Sequence, residues 1–197
     1  MSTWAIVLVK DFGTAKQRLG PALNPRERRA LARRNAERAI RAAAVADHRL
    51  VVAGSEEVGL LASRLGADFI VEARPQGQNV AAGRGISHAV ERGAAAVLLL
   101  SSDLPFVNRR AVRSLLEAAT RESGSLAMAV PAVGRGGTNA LYLRPPEVIG
   151  LHFGGDSLTS FGRDATARGV RFVIHPSAEM ALDLDEPPDL ALLRRAV

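Results

Sequence analysis

The stretch "VLLLSSDLPF", residues 97–106, carries an apolar run straight into Asp103 and a Leu-Pro pair. A carboxylate two residues past a buried strand is a helix cap or turn residue on one reading. On the other it is a ligand for a hard cation, because Mg2+ takes one or two carboxylates and completes its shell with water and phosphate oxygens. A partner for the second reading stands in "ALDLDEPPDL", where Asp183 and Asp185 are two apart and, on an extended segment, point to one face. Helix initiation through Pro187, Pro188 and the helix dipole accounts for Asp189, which caps or begins the last helix. Asp183 and Asp185 lie too early for that role.

The loop after the first apolar run, "VKDFGTAKQRLG", sets Lys10, Lys16 and Arg18 where a doubly wound fold would hold nucleotide phosphates. Neither GxxxxGK[ST] nor GxGxxG stands at this turn, so a solvated basic loop would look much the same. "GRGGTNAL" can bring the amides of Gly136 and Gly137 and the hydroxyl of Thr138 close to an anion. "FGGDSL" places Gly154 and Ser157 just before a helix, whose positive end suits phosphate or carboxylate. As bare structure the first is a hairpin turn and the second a cap at Asp156 or Ser157; their joint presence opposite a basic loop favours anion binding. The four histidines, His48, His88, His152 and His175, show no metal spacing, and Ser101, Ser102 and Ser157 lack the hydrolase elbow.

The elements that must position these residues follow from composition and periodicity. The 197 residues fit a single domain, 1–197, with its own core. Apolar residues make up 47% and charged ones 23%, the balance of a globular protein, not a disordered one. No apolar run approaches the roughly 20 residues of a membrane span, and "MSTWAIVLVKDFG" carries no basic start or cleavage site, so a cytoplasmic enzyme is the expectation. The chain has no cysteine, which excludes disulfides, thiolate nucleophiles and cysteine zinc sites. Lys plus Arg outnumber Asp plus Glu by 26 to 20, which favours anionic partners. Nucleic acid is not the reading adopted: no aromatics interleave the basic residues and no binding module is present.

Short apolar runs alternate with helical patterns. Strands are expected at Trp4 to Val9, "LVVAG", "DFIVEA" and "AAVLLLSS", and later at "SLAMAVPAV", "TNALYLRPP" and "VRFVIHP". Helices are expected from Pro25, where Asn24 and Glu27 form a capping box, in "SEEVGLLASRLG" with Ser55 as cap, in "NVAAGRGISHAVERG", and after Asn108. Two more fall in "DSLTSFGRDATARG" and "PPDLALLRRAV". The alternation predicts an α/β fold, a mostly parallel, Rossmann-like three-layer sheet, whose second half is an insertion plus closing elements on the same sheet.

Taken in order, "VLVKDFGTAKQRLGPALNPRERRAL", "GQNVAAGRG", "VLLLSSDLPF", "GGTNALYLRPP", "FGGDSL" and "LDLDEPPDL" resemble the guanylyltransferases of coenzyme F420 biosynthesis. These are the 2-phospho-L-lactate or phosphoenolpyruvate guanylyltransferases, nucleotidyltransferases with a GT-A-like sheet. The resemblance spans nearly the whole chain, and "GGTNAL" is its most specific element.

The resemblance implies a Mg2+-dependent enzyme that joins GMP from GTP to a three-carbon phosphoacid, phosphoenolpyruvate, 2-phospho-L-lactate or 3-phosphoglycerate, and releases pyrophosphate. It implies Asp103 and one Asp of the pair as metal ligands, Asp185 before Asp183. Lys16 and Arg18 of "AKQRL" then serve the triphosphate and act in catalysis beside Asp103, and Lys10, by its place in the same loop, joins them as a nucleotide-binding residue. Gly77 and Asn79 of "GQN" match a "GLN" element near the nucleotide, and Thr138, Gly154 and Ser157 match acceptor-binding positions. Three departures stand out: Phe161 where the family often has His, "DEPPDL" for "DTPEDL", and "GQN" for "GLN". The rival readings are another Mg2+-dependent nucleotidyltransferase, a small GT-A glycosyltransferase, or a basic nucleic-acid-binding protein. A homodimer stays open.

Overall fold

The computed structural model describes residues 2–134 and 136–195. Arg135 of the "GRGG" stretch and the last two residues of the terminal helical pattern lie outside them. Four adjacent parallel strands make up one side of the sheet: β1 (Thr3–Val9), β2 (His48–Ala53), β3 (Asp68–Val71) and β4 (Ala96–Ser101). The remaining strands are β5 (Leu126–Pro131), β6 (Thr138–Arg144) and β7 (Arg171–Ile174), and the seven-stranded order is β3-β2-β1-β4-β6-β5-β7. The sheet is mostly parallel, as the alternation predicts, with one exception. β6 runs antiparallel to both β4 and β5. Periodicity announces a strand but not its direction; here the glycine-rich connection folds β6 back as a hairpin partner of β5 and inserts it beside β4.

Alternate residues of the central strands feed two separate cores, which is why these strands read as continuous apolar runs. Ala5, Val7 and Val9 of β1 face one core, with α1 (Pro25–Ala42), α2 (Glu56–Arg64) and α4 (Arg109–Thr120). Trp4 and Ile6 face the other, with α3 (Gln78–Val90) and α5 (Ser157–Ala167). Helices therefore cover both faces, giving three layers. Arg26, Arg29, Arg33, Arg34, Arg38 and Arg41 of α1 lie on its exposed side, as helical spacing requires.

Local sequence governs most helix starts. Asn24 and Glu27 form the expected capping box, with amide-to-side-chain distances of 3.0 and 2.8 Å. Asn108 caps α4 by accepting from the Ala111 amide at 3.0 Å. Ser55 departs from expectation: it occupies the cap position of α2 with the extended backbone usual for a cap, but its buried hydroxyl makes no capping bond. Asp156 stands at the cap position of α5 with φ +56°, yet its carboxylate accepts from the Thr159 hydroxyl instead of a backbone amide. A short helix that periodicity does not reveal, α6 (Ala178–Ala181), precedes the acidic segment, and α7 (Pro187–Arg195) follows it. No helix among the described residues is long and apolar enough to cross a membrane.

A third apolar cluster matters most for the site. Leu19, in a 3-10 turn after β1, packs with Leu31 of α1 and Leu184 between the two aspartates, and Leu182 and Leu190 pack against them. It clamps the β1 loop to the acidic segment. On the opposite face α3 approaches the sheet so closely at Gly85 that an added Cβ would lie 2.6 Å from Ile6 Cγ2 and 3.0 Å from Val52 Cγ2. Gly85→Ala is expected to lower stability by about 1–2 kcal/mol despite its better helix propensity, a Tm drop of roughly 2–8 °C by calorimetry.

Candidate active site

The strand order reverses between β1 and β4, the position where open α/β sheets hold ligands beyond the carboxyl ends of their strands. The loop after β1 carries Lys10, Lys16 and Arg18, and the loop after β4 carries Asp103. Antiparallel β6 enters at the same rim: Ala140 pairs with Leu100, so Thr138, two residues earlier, stands level with the loop of Asp103.

Lys16 is the hub. Its side chain is 1% exposed, and the ammonium lies 2.7 Å from Asp103 Oδ1 and donates to the Leu184 carbonyl oxygen. The Leu184 amide donates in turn to the Asp103 carbonyl oxygen at 3.1 Å. Lys16 adopts φ +61°, a left-handed conformation that a non-glycine residue holds only when its surroundings impose it. Beside it, Arg18 Nη1 pairs with Asp185 Oδ2 at 2.9 Å. Asp189 is buried in the first turn of α7, and its Oδ2 accepts the amides of Asp185 and Glu186 at 2.8 and 2.7 Å. The capping role expected of Asp189 thus also fixes the backbone beneath Asp185.

Two adjoining clefts open along this rim. The first is lined by Leu8, Val52, Gly54, Glu72, Gly77 and Ala81, the second by Thr138, Asn139, Gly154, Ser157 and Asp183. They share a wall of Lys10, Thr14, Lys16, Gln78, Ser101, Asp103 and Asp185. The two acidic segments, about 80 residues apart in the chain, therefore meet at one place. Among the described residues no group of three or more acidic or histidine side chains is gathered to enclose a metal ion. Two carboxylates from separate segments, facing a cleft and supplying only oxygen, suit a hard cation that draws its other ligands from water and phosphate. Asp103 and Asp185 stand on the shared wall; Asp183 lines the second cleft only.

The second cleft is held from several sides. Ser157 donates its hydroxyl to Thr138 Oγ1 at 3.0 Å, both residues being buried. Asn139 donates to the carbonyls of Met180 and Ala181 at 2.8 and 3.0 Å, tying β6 to α6. The Leu158 amide donates to the Gly136 carbonyl, and a Cβ on Gly136, which has φ +62°, would come within 3.3 Å of Asp156 Oδ1. Asn79, expected near a nucleotide, commits both amide atoms to the opposite wall: it donates to the Phe153 carbonyl at 3.1 Å and accepts the Phe153 amide at 2.8 Å. Its neighbours Gly77 and Gln78 line the first cleft.

Phe161 is fully buried, with edge contacts to His152 and Phe153 at centroid distances of 5.6 and 5.2 Å, so it supports the 152–155 loop from below. Asp164 holds the same loop, accepting from the Gly150 amide at 2.6 Å and bonding His152 Nε2 at 2.9 Å. Sequence reasoning missed Glu72, Gln78 and Asn139. Glu72 alone carried a signal, an acidic residue directly past an apolar strand, as at Asp103.

The chain matches the family described as guanylyl transferase CofC like over residues 3–194. The chain belongs to this family. It is 38% identical over 195 residues to the phosphoenolpyruvate guanylyltransferase of Rubrobacter xylanophilus, covering 98% of this chain and 94% of that protein. It is 32% identical over 191 residues to the 2-phospho-L-lactate guanylyltransferase of Methanothermobacter thermautotrophicus, covering 96% and 83%. Among solved structures, a nucleotidyl transferase from Methanothermobacter superposes with a TM-score of 0.70 at 17% identity, covering 99% of this chain and 97% of that one, which shows the shared fold.

The hydrogen bond from His152, and then that from Arg168, hold the Asp164 carboxyl down to about 2. A carboxylate depressed on folding stabilises above its unfolded value, here 3.8, and that contribution fades as pH falls toward about 2. Asp164→Asn is expected to be less stable than the unaltered protein at neutral pH, with the difference closing across that window. Urea midpoints measured against pH check this.

Proposed function

We propose that this guanylyltransferase binds GTP with Mg2+ in the first cleft and a three-carbon phosphoacid in the second, and joins GMP to the acid with release of pyrophosphate. The observation that carries the reading is the shared wall: each cleft has its own lining, and Lys16, Asp103 and Asp185 belong to both. The family's name supplies the guanylyl group. The names of the relatives, phosphoenolpyruvate and 2-phospho-L-lactate guanylyltransferase, supply the acceptor class.

An oxygen of the acceptor phosphate attacks the α-phosphorus of GTP, a new P–O bond forms, and the bond to the β-phosphate oxygen breaks, so pyrophosphate leaves with its electron pair. No protein nucleophile is needed. Two mutually repelling anions must be held in line, which calls for positioning and positive charge. Asp103 and Asp185 would hold Mg2+, which when bound offsets charge on the reacting phosphates. Lys10 and Lys16 serve the triphosphate from the shared wall, and Arg18, which lines the second cleft, reaches that wall through Asp185. Thr138, Gly154 and Ser157 serve the acceptor, the Ser157 hydroxyl by orienting that of Thr138, whose own proton is left for an anion, and the loop at Gly154 through its backbone. Asn79 fixes the Phe153–Gly155 segment that carries part of that subsite. A cytoplasmic setting, where GTP and phosphoacids are both at hand, fits this chemistry.

The deciding assay incubates protein, Mg2+ and GTP with phosphoenolpyruvate, 2-phospho-L-lactate and 3-phosphoglycerate in turn and measures pyrophosphate. Release with none of them, or with a different nucleotide only, overturns the reading. Asp103→Asn keeps an oxygen acceptor for Lys16 but removes the negative charge that offsets its buried ammonium, so turnover at a temperature where the variant is folded is expected to fall about 10³-fold and the thermal transition to drop as well. Near-normal turnover at saturating Mg2+ contradicts the metal role. Asn79→Ala is expected to raise the acceptor KM about tenfold and leave the GTP KM within about twofold, because the lost bonds hold the acceptor loop. Steady-state kinetics with each substrate varied in turn measure both.

A further inference from the structure

Four carboxylates line the first cleft: Asp11, Glu72, Asp103 and Asp185. Three are committed elsewhere. Asp11 Oδ1 accepts the amides of Gly13 and Thr14 at 2.9 and 3.1 Å, shaping its own turn. Asp103 pairs with Lys16, and Asp185 with Arg18. Glu72 differs from these. It follows β3 directly, and its amide donates to the Ala53 carbonyl at the end of β2 at 2.9 Å. Its side chain is 10% exposed, and Arg84 Nη1 of α3 reaches Oε1 at 3.3 Å, while Oε2 has no hydrogen-bond partner among the described residues. Arg84 also bonds Gln76, so the carboxylate and the loop beside it are set by one guanidinium.

The wall around Glu72 is apolar or bare. Leu8, Val52, Pro75 and Ala81 present hydrocarbon, and Gly54 and Gly77 present none. At Gly54 a side chain has no room: a Cβ would stand 2.5 Å from the Asp11 amide nitrogen. A flat aromatic ring suits such a slot, and an acceptor-only group stands within it. From the loop after β3 to the loop after β4 the sheet crosses three strand spacings, about 14 Å. An extended nucleotide covers such a span from base edge to phosphates.

We propose that Glu72 reads the base, accepting N1–H and the 2-amino group of guanine. The assignment rests on the proposed function, which puts the phosphates at the shared wall. Guanine alone among the common bases offers two adjacent donors on its pairing edge, and a carboxylate, with two oxygens and no proton, matches both. Adenine offers a donor beside an acceptor, whose lone pair would face Glu72 unfavourably. Arg84 orients the carboxylate and offsets its charge in the half-closed cleft.

Equilibrium binding by calorimetry in Mg2+ tests this with GTP, ITP, which lacks the 2-amino group, and 1-methyl-GTP, which lacks N1–H. The unaltered protein is expected to bind GTP about tenfold or more tightly than either analogue, and Glu72→Gln to lose at least about tenfold in GTP affinity but much less for ITP. The GTP-to-ITP preference of the variant then shrinks to within about threefold. The analogue series on the unaltered protein keeps the test alive if Glu72→Gln fails to fold. Equal affinity of the unaltered protein for GTP and ITP overturns the proposal, and so does an equal loss for both nucleotides in the variant, which would make Glu72 only a partner for Arg84. Pyrophosphate release is followed on the same protein. Selective GTP binding without release leaves Glu72 reading guanine and removes the transfer reaction; no GTP binding removes both.

Discussion

A lysine ammonium is strongly hydrated, and burying one to 1% exposure is unfavourable unless charge and hydrogen bonds replace the lost water. Lys16 finds both in Asp103 and the Leu184 carbonyl, and these come from segments far away in sequence. The β1 loop, the β4 loop and the acidic segment must therefore be in place together for the burial to be tolerated. The leucine cluster of Leu19, Leu31 and Leu184 supplies the apolar burial that draws the β1 loop and the acidic segment together, and the left-handed backbone of Lys16 is the local cost of aiming its side chain inward. Asp103 is thereby held at the rim with one oxygen anchored and its side chain still partly open to the cleft.

From that anchor the chemistry of the rim follows. Four anionic groups, two carboxylates of the protein and two phosphorylated substrates, would otherwise repel one another in a partly enclosed cleft. Lys16 and Arg18 already offset Asp103 and Asp185, so the carboxylates can be brought together before any substrate arrives. The charge brought by the substrates calls for further cation, and two oxygen donors on the shared wall are where a divalent ion would be recruited. The second cleft is shaped by polar clamps between elements: Asn139 to α6, Ser157 to Thr138, and Asn79 to Phe153. The first two satisfy buried polar atoms, and the third holds the segment that carries Gly154 and Gly155.

Much of this was legible in order along the chain. Apolar runs alternating with helical periods predict the layered sheet, and Asn24, Asn108 and Asp189 announce helix starts because a cap is settled within four residues. Asp103 and the Asp183/Asp185 pair were marked out by their place after apolar or extended segments, and the resemblance to a known family assembled the remaining loops. Other features were not legible. The hydroxyl of Ser55 and the carboxylate of Asp156 follow the cap rule in position but not in bonding: Asp156 has a left-handed backbone and bonds the Thr159 hydroxyl, and Ser55 has a cap's backbone without a cap's bond. That the Asn79 amide bonds a loop 74 residues away was equally out of reach of local pattern.

What the sequence determined by itself is the set of local choices: which stretches are strands or helices, where helices begin, and which residue types collect in loops beyond the strands. These depend on periodicity, capping and glycine conformation within a few residues. Only the tertiary structure decided that β6 enters reversed between β4 and β5, that Lys16 is buried instead of solvated, and that Glu72 faces the cleft with an oxygen to spare. Those outcomes rest on contacts between segments tens of residues apart. Their energies depend on burial and charge pairing that no local pattern encodes.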